Sequence, residues 1–330
     1  MKFGINPSSD LAHLSEYCKL AERYGFFQVW LPDTNVLWAD PYVCLSACAL
    51  STSKLRIGTG ITNPFTRHPA VTANATASLD VLSNGRVTIG IGRGDNVATT
   101  LGRKPATVIE LKEAVSFIKD LHLGKASRLG SNGQEMKLRW TKRNIPIYVA
   151  GNGPRILQMS GEVGDGAITV GSSSFLVDFA KKNIEKGRNA AGRELGNFAL
   201  CASCSCAIAK EAENAIRLVR SVVATHVHSK SDLLLKYFRD QLPTSAPEDI
   251  DDLNGAYNVY EHGLDEAKHG SVVKEWMVDT FSIAGTADDC IEKISHLERA
   301  GVEQIIMPVR YADVKGFIET FGSKVIPHFS

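Results

Sequence analysis

Short apolar runs rich in β-branched residues alternate with amphipathic segments along the whole chain. Eight of these runs have the length and composition of strands: residues 2–5, 28–31, 55–59, 86–91, 145–150, 166–170, 197–208 and 304–309. Each is followed by a helical pattern, and the first helix is predicted to begin at Asp10, with Leu11, Leu14 and Cys18 on its apolar face. Alternating strands and helices are typical of a parallel sheet. Eight strand–helix pairs predict an α/β fold, a closed (βα)8 TIM barrel, with residues 1–330 as one domain.

Two longer segments interrupt this alternation. Residues 125–144 are polar and contain GSNGQ, so we expect a small surface hairpin or excursion. Residues 229–279 follow the seventh strand and carry helical patterns, which predicts a helical insertion. Insertions at that end of a barrel commonly cover the active site, and an oligomer contact is the alternative.

The loops that follow the strands contain the candidate chemistry, because active sites of such barrels lie at the carboxyl ends of the strands. Five loops are rich in glycine or polar residues: LPDTN (31–35), GITNPFTRHP (60–69), GRGDN (92–96), GNGP (151–154) and GSSS (171–174). We therefore expect the functional site at this face of the barrel.

The stretch VTIGIGRGDN, residues 87–96, has three glycines at alternate positions after an apolar run. A dinucleotide-binding loop needs a further glycine where this chain has Asp95, and a carboxylate there would repel a pyrophosphate. The stretch is better interpreted as a barrel strand whose glycines let the backbone approach a ligand closely.

The charge of the chain excludes several classes of partner. Its 37 basic and 36 acidic residues leave a net charge of +1, which is too little to recruit nucleic acid or a membrane surface. The first residues, MKFGINPSSD, lack the features of a signal peptide, and no run of eighteen apolar residues follows. We expect a cytoplasmic protein that acts on a small-molecule substrate.

The cysteines and histidines do not form a metal-binding pattern. Seven cysteines lie mostly inside apolar segments, as reduced core thiols do. The C-x-x-C of Cys201 and Cys204 has no second pair, and the H-x-H of His226 and His228 has no third ligand. We predict neither disulfides nor a metal site.

Several segments together resemble the luciferase-like superfamily of flavin and deazaflavin oxidoreductases. They run from MKFGI and GFFQVWLPD through LRIGTGITNPFTRHPAVTA and LDVLSNGRVTIGIGRGD to IPIYVAGNGPRILQMSGEVGDGAI and FSIAGTADDCIEKI. The chain is most similar to methylenetetrahydromethanopterin reductases, which use coenzyme F420. The resemblance implies a (βα)8 barrel that holds the cofactor ring in its mouth, and a homodimer or homotetramer.

The resemblance also implies where the cofactor binds. A non-prolyl cis peptide is expected between Gly60 and Ile61, against the ring. The residues expected beside the ring are Gly60, Ile61, Thr62, Gly94 and Asn96, and those expected near the phosphate are Gly151, Asn152, Gly153, Ser172 and Ser173. Glycine-bearing loops that open helices independently favour an anion, because their backbone N–H groups are free; an ordinary turn with a serine cap is the alternative.

Two acidic residues match catalytic positions of the family. Asp33 and Asp95 both follow strands, and either could transfer a proton to the substrate or orient it. The alternative for each is a loop cap or a partner for Arg67 or Arg93. Many relatives have a histidine where this chain has Thr34. The pterin reductases have an acidic residue where it has Asn6. We expect Thr34 and Asn6 to contact the substrate, whose identity these departures leave open.

Three functions fit these residues. The first is hydride transfer between reduced F420 and a small organic substrate. The second is an FMN-dependent monooxygenase that uses oxygen and reduced FMN from a separate flavin reductase, with water excluded from the site. The third is a non-catalytic flavin-binding protein, since a fold alone does not establish catalysis.

Overall fold

The computed structural model of the chain is a closed barrel of eight parallel strands. It describes residues 1–7, 11–34, 37–194, 196, 198–258, 267–309 and 313–329. The barrel strands are β1 (Lys2–Asn6), β2 (Gln28–Leu31), β3 (Arg56–Thr62), β4 (Val87–Ile91), β5 (Ile147–Ala150), β6 (Gly166–Val170), β7 (Ala199–Ser203) and β10 (Gln304–Pro308). Each pairs with the next along the chain, and β1 pairs with β10 to close the barrel. The predicted (βα)8 fold is confirmed.

The seventh predicted strand is two strands in the structure. After β7 the chain continues as β8 (Ser205–Ile208), which leaves the barrel and pairs in parallel with β9 (Ser282–Gly285). The break falls at Cys204, which is buried and whose N–H donates to the carbonyl of Ile306. The prediction of a single strand over 197–208 was wrong, because the run contains no glycine or proline to mark this break. Strand β9 was not predicted.

Helices cover the outside of the barrel and build the insertion. The helices are α1 (Leu14–Arg23), α2 (Pro41–Ser51), α3 (Pro69–Leu82), α4 (Asp95–Thr100), α5 (Val108–His122), α6 (Pro154–Val163), α7 (Ser174–Ala190), α8 (Ala212–Tyr237), α9 (Ala246–Ala256), α10 (Glu275–Phe281), α11 (Ala287–Arg299) and α12 (Val314–Lys324). Short 3₁₀ turns span Arg239–Gln241, Lys268–Val272 and Ile326–Phe329. The predicted start of the first helix, Asp10, lies outside the described residues.

The segment between β8 and β9 is helical and has its own apolar core. Helices α8, α9 and α10 bury Val223, Leu234, Ile250, Leu253 and Met277 among themselves. Because α8 begins at Ala212, the helical segment starts before residue 229. The boundaries 229–279 and the covering of the mouth stay predictions, and residues 259–266 lie outside the description.

The segment 125–144 is a small excursion, as predicted. Ser127 and Met136 exchange two backbone hydrogen bonds of 3.0 and 2.9 Å. The Nε1 of Trp140 donates to Asn74 Oδ1 of α3 at 3.0 Å, which fixes the excursion to the outside of the barrel.

The interior of the barrel is built around Trp30, whose side chain is fully buried. Glycines on the two neighbouring strands make room for it. A Cβ atom on Gly4 would lie 2.7 Å from Trp30 Nε1, and one on Gly60 would lie 2.7 Å from Trp30 Cβ. Real Cβ atoms do not approach other atoms so closely, so these positions exclude a side chain as long as the indole fills the centre.

No helix in the described parts of the chain combines the length and hydrophobicity that crossing a membrane requires. The seven cysteines are buried thiols. The described residues also contain no group of three or more His, Cys, Asp or Glu side chains placed to bind a metal ion.

Candidate active site

The mouth of the barrel contains a bulge at the end of β3. Pairing between β3 and β4 shifts register between Thr59 and Thr62. The Gly60–Ile61 peptide within this bulge is cis, as predicted. Beyond the bulge, the N–H of Gly92 donates to the carbonyl of Thr62 at 2.9 Å, so backbone hydrogen bonding between the two segments resumes there.

Glycines within β4 and just beyond it leave room for the bulge. A Cβ on Gly90 would lie 2.4 Å from the carbonyl oxygen of Thr59, and one on Gly92 would lie 2.4 Å from Ile61 Cδ1. Gly94 has a φ of +75°, which favours glycine, and a Cβ there would meet Asn63 and Phe65 at 2.8 Å. The alternating glycines of VTIGIGRGDN therefore serve the close approach of β3, rather than a nucleotide phosphate.

Asp33 lies at the mouth, where its carboxylate is engaged by Thr62 and Arg67. Its carboxylate is 4% exposed, accepts a 2.6 Å hydrogen bond from Thr62 Oγ1, and lies 3.4 Å from Nη1 of Arg67. Its backbone N–H donates to the carbonyl of Ile61 at 3.3 Å. Burial raises the pKa of Asp33, and the Thr62 hydrogen bond and the Arg67 charge oppose that shift.

Arg67 is held on its other side by the start of α2. Its Nη2 pairs with Asp40, and its guanidinium lies 4.5 Å from the centre of the Tyr42 ring. Asp40 also caps α2, because its Oδ1 accepts from the N–H groups of Tyr42 and Val43 at 2.9 and 3.2 Å. The arginine thus joins the first turn of α2 to Asp33.

Asp95 is exposed and is the first residue of α4. In the described part of the chain it forms no ion pair with an arginine: Arg93 donates to the carbonyl of Ala106 at 2.6 Å, and Arg67 pairs with Asp33 and Asp40. Burial lowers the pKa of Lys230 on α8, and the charge of Asp95 opposes this shift. The insertion therefore brings a cationic group within electrostatic reach of Asp95. The side chain of Asn96 lies outside the description.

Two of the predicted phosphate-binding residues are used by the fold. The side-chain amide of Asn152 donates to the carbonyl of Val170 at 2.8 Å and accepts from its N–H at 3.2 Å, which extends the pairing of β5 with β6. Ser172 is buried, its N–H donates to the carbonyl of Thr280, and its hydroxyl lies 3.0 Å from the carbonyl of Ser282. The donors of Ser172 therefore already have acceptors.

The other three predicted phosphate-binding residues differ in how well their surroundings could bind an anion. Gly151 is a packing glycine, because a Cβ there would lie 2.4 Å from Ile156. Gly153 and Ser173 are the N-caps of α6 and α7, and neither helix has a side-chain capping bond. Since α6 begins with Pro154, which has no N–H, the first turn of α7 offers the better set of donors to an anion.

The two predicted substrate contacts lie at neighbouring strand ends. Asn6 is buried at the end of β1, where its carbonyl accepts the N–H of Val309 at 3.0 Å. Thr34 is half-buried after β2, and its carbonyl accepts from Leu37 and Trp38. Their contact with substrate stays a prediction.

Sequence reasoning did not single out Asp40, Tyr42 or Lys230. Asp40 could have been found as an aspartate before the Pro41 that opens α2, a common N-cap signal. No sequence spacing relates Lys230 to Asp95, because only the tertiary fold places the charge of Asp95 where it acts on Lys230.

Comparison with known proteins identifies the family. A model of the luciferase-like monooxygenase family matches residues 3–304. The chain belongs to this family. The predicted family membership is thus confirmed.

Relatives in this family include reductases and dehydrogenases. The chain is 36% identical to the 5,10-methylenetetrahydromethanopterin reductase of Archaeoglobus fulgidus, over 99% of both chains. It is 26% identical to the F420-dependent glucose-6-phosphate dehydrogenase of Amycolatopsis mediterranei, over 99% of this chain and 98% of the other. The structure of the coenzyme F420 dependent tetrahydromethanopterin reductase from Methanopyrus kandleri superposes with a TM-score of 0.84 at 30% identity, covering 100% of this chain and 99% of that one.

The packing of the bulge predicts that Gly90 cannot carry a side chain. Gly90→Ala should lower the free energy of unfolding by about 1–3 kcal/mol, because the obstructing Thr59 oxygen belongs to the backbone and cannot rotate away. Gly255→Ala is the control, since a Cβ there meets nothing within 4 Å in α9. Urea denaturation measures both. Equal stability of the Gly90 variant and the wild type would contradict this account of the glycines.

Proposed function

We propose that this protein is an F420-dependent oxidoreductase that transfers hydride between reduced F420 and a small organic substrate. The observation that carries the proposal is the full-length similarity to a reductase at 36% identity, together with the similarity to an F420-dependent dehydrogenase and an F420-dependent reductase. The luciferase-like fold alone would equally accommodate the FMN-dependent monooxygenase.

The described residues fit such a cofactor at two places. The β3 bulge presents the backbone of Gly60 and Ile61 at the mouth, where a flat ring can pack against it. The first turn of α7, next to Ser173, offers unpaired N–H groups to a phosphate. F420, when bound, supplies or accepts the hydride, and the protein orients it against the substrate.

We assign the proton-handling role to Asp95. It is exposed at the mouth, has no arginine partner in the described part of the chain, and lies in the field of Lys230. Asn6 is an amide, which cannot act as an acid, so the proton must come from another group. Asp33 is less suited, because Thr62 and Arg67 already occupy its carboxylate.

Asp95→Asn should lower turnover by about 10²-fold or more while leaving F420 affinity unchanged, the usual effect of removing a positioned acid or base. The assay follows oxidation of reduced F420 with 5,10-methylenetetrahydromethanopterin as the first substrate tried. Asp288→Asn, another exposed aspartate in the first turn of a helix, is the matched control. A variant at the wild-type rate would exclude Asp95 from the chemistry.

Ser173→Asp should weaken F420 binding by at least about tenfold, because a carboxylate at the start of α7 repels a phosphate. The same change should preserve or raise thermal stability, since aspartate is a favoured N-cap. A deazaflavin fragment that lacks the phosphate is the control ligand, and its affinity should change by less than about twofold. Equal losses for both ligands would count against phosphate binding at α7.

We also propose that the protein is a homodimer formed through α2 and α3. Helix α2 is largely apolar on its exposed as well as its buried face, although it lies outside the barrel, and α3 exposes Val71, Val81 and Leu82. Val43 and Leu50 on α2 are 60% and 72% exposed, and Val71 on α3 and the adjoining Trp140 are about half exposed. Exposed apolar side chains on two neighbouring helices are typical of a protein–protein interface.

Leu50→Lys should convert the dimer into a monomer in sedimentation velocity, because it places a charge among these exposed apolar side chains. Ile109→Lys is the matched control: Ile109 is equally exposed, at 70%, but lies on α5. A wild-type monomer, or a Leu50 variant that keeps the wild-type mass, would refute this interface.

A further inference from the structure

The contacts of Asp33 converge on the β3 bulge. Its N–H donates to the carbonyl of Ile61, and its carboxylate accepts from the hydroxyl of Thr62. These two residues form the part of the bulge that follows Gly60. Asp33 therefore fixes the bulge from the β2 side, while the N–H of Gly92 fixes it from the β4 side.

The charge of Asp33 is balanced by one described side chain. Arg67 approaches both carboxylate oxygens at 3.4 Å, and is itself held by Asp40 and by the face of Tyr42. Asp33 is 4% and Arg67 25% exposed, so water screens the pair only in part. Removing Arg67 would leave a buried carboxylate without its cation, and such a group takes up a proton.

We propose that Arg67 and Asp33 are positioning residues, whose ion pair holds Thr62 and the Ile61 carbonyl and thereby fixes the backbone surface that receives the cofactor ring. This inference rests on the proposed function, and it changes the role expected for Asp33 from proton transfer to support of the bulge. Neither residue needs to touch the substrate in this role.

The hydrogen-bonding capacity of Asp33 supports this role. A proton donor needs a carboxyl oxygen that faces the substrate, but both oxygens of Asp33 face Arg67, and one also accepts from Thr62. The charged and titratable groups around Asp33 are Arg67, Asp40 and Tyr42. In the wild type the Arg67 guanidinium lies against both oxygens of Asp33 and favours its carboxylate form, which accepts the hydrogen bond from Thr62.

The test compares four proteins: wild type, Asp33→Asn, Arg67→Met and the double variant. Each is titrated with F420 and with the phosphate-free deazaflavin fragment, well below the melting temperature and with folding verified by circular dichroism. Each single change should raise the Kd of both ligands by the same factor, about tenfold, because a loosened surface affects the ring that the two ligands share. The Kd of the double variant should be no higher than that of the single variant that binds less tightly, because both changes disable the same ion pair.

A pH series separates positioning from a general loss of stability. In Arg67→Met, Asp33 loses its cation and its pKa rises further, so the Kd should increase as the pH falls through that raised pKa. The dependence should disappear in the double variant, which has no carboxyl group at position 33. Arg103→Met is the control for removing an arginine, because Arg103 stacks on Phe65 and does not contact Asp33.

Several outcomes would overturn the proposal: unchanged Kd values in folded single variants, fully additive losses in the double variant, or a pH dependence that persists without Asp33. If the wild type binds FMN and not F420, the proposed cofactor is wrong. The same four proteins titrated with FMN and riboflavin then still test the ion pair. If the wild type binds neither ring, both the proposed function and this inference fail.

Discussion

The site depends on one steric constraint, the close approach of β3 to β4 at the mouth of the barrel. The Ile61 side chain in the bulge at Gly60–Thr62 lies against the β4 side. Side chains at positions 90 and 92 would collide with the bulge, so both positions are glycine. Once the bulge lies there, its carbonyl and hydroxyl groups meet Asp33, and Asp33 in turn requires Arg67. A packing requirement in the backbone thus determines where the charged groups of the mouth lie.

The same constraint separates two parts of the mouth. The β2–β3 side, with Asp33, Thr62 and Arg67, is fully engaged in holding the backbone. Other groups of the mouth follow β4 and β6: the exposed carboxylate of Asp95, whose charge acts on Lys230, and the first turn of α7, which has no side-chain cap. On the account proposed above, the β2–β3 side supports the backbone, and these other groups bind the ligand and handle the proton.

Much of this arrangement could be predicted from the sequence, since strand periodicity gave the barrel and family resemblance gave the cis peptide. The sequence could not indicate which hydrogen-bond partner each polar group has. Asn152 and Ser172 were predicted to bind the phosphate, yet their donors hydrogen-bond to Val170 and to residues of α10 and β9. Strand β9 itself was missed because it starts directly after α10, without a turn residue, and its partner β8 was merged with β7. The electrostatic interaction of Asp95 with Lys230 depends on the tertiary fold of the insertion.

The central claim is that this mouth is built for a deazaflavin. Its most direct test is an equilibrium titration of the purified, cofactor-free protein with F420 and FMN under identical conditions. The account predicts that F420 binds at least about tenfold more tightly, a difference of about 1.4 kcal/mol in binding free energy. Tighter binding of FMN would contradict it and would favour the monooxygenase.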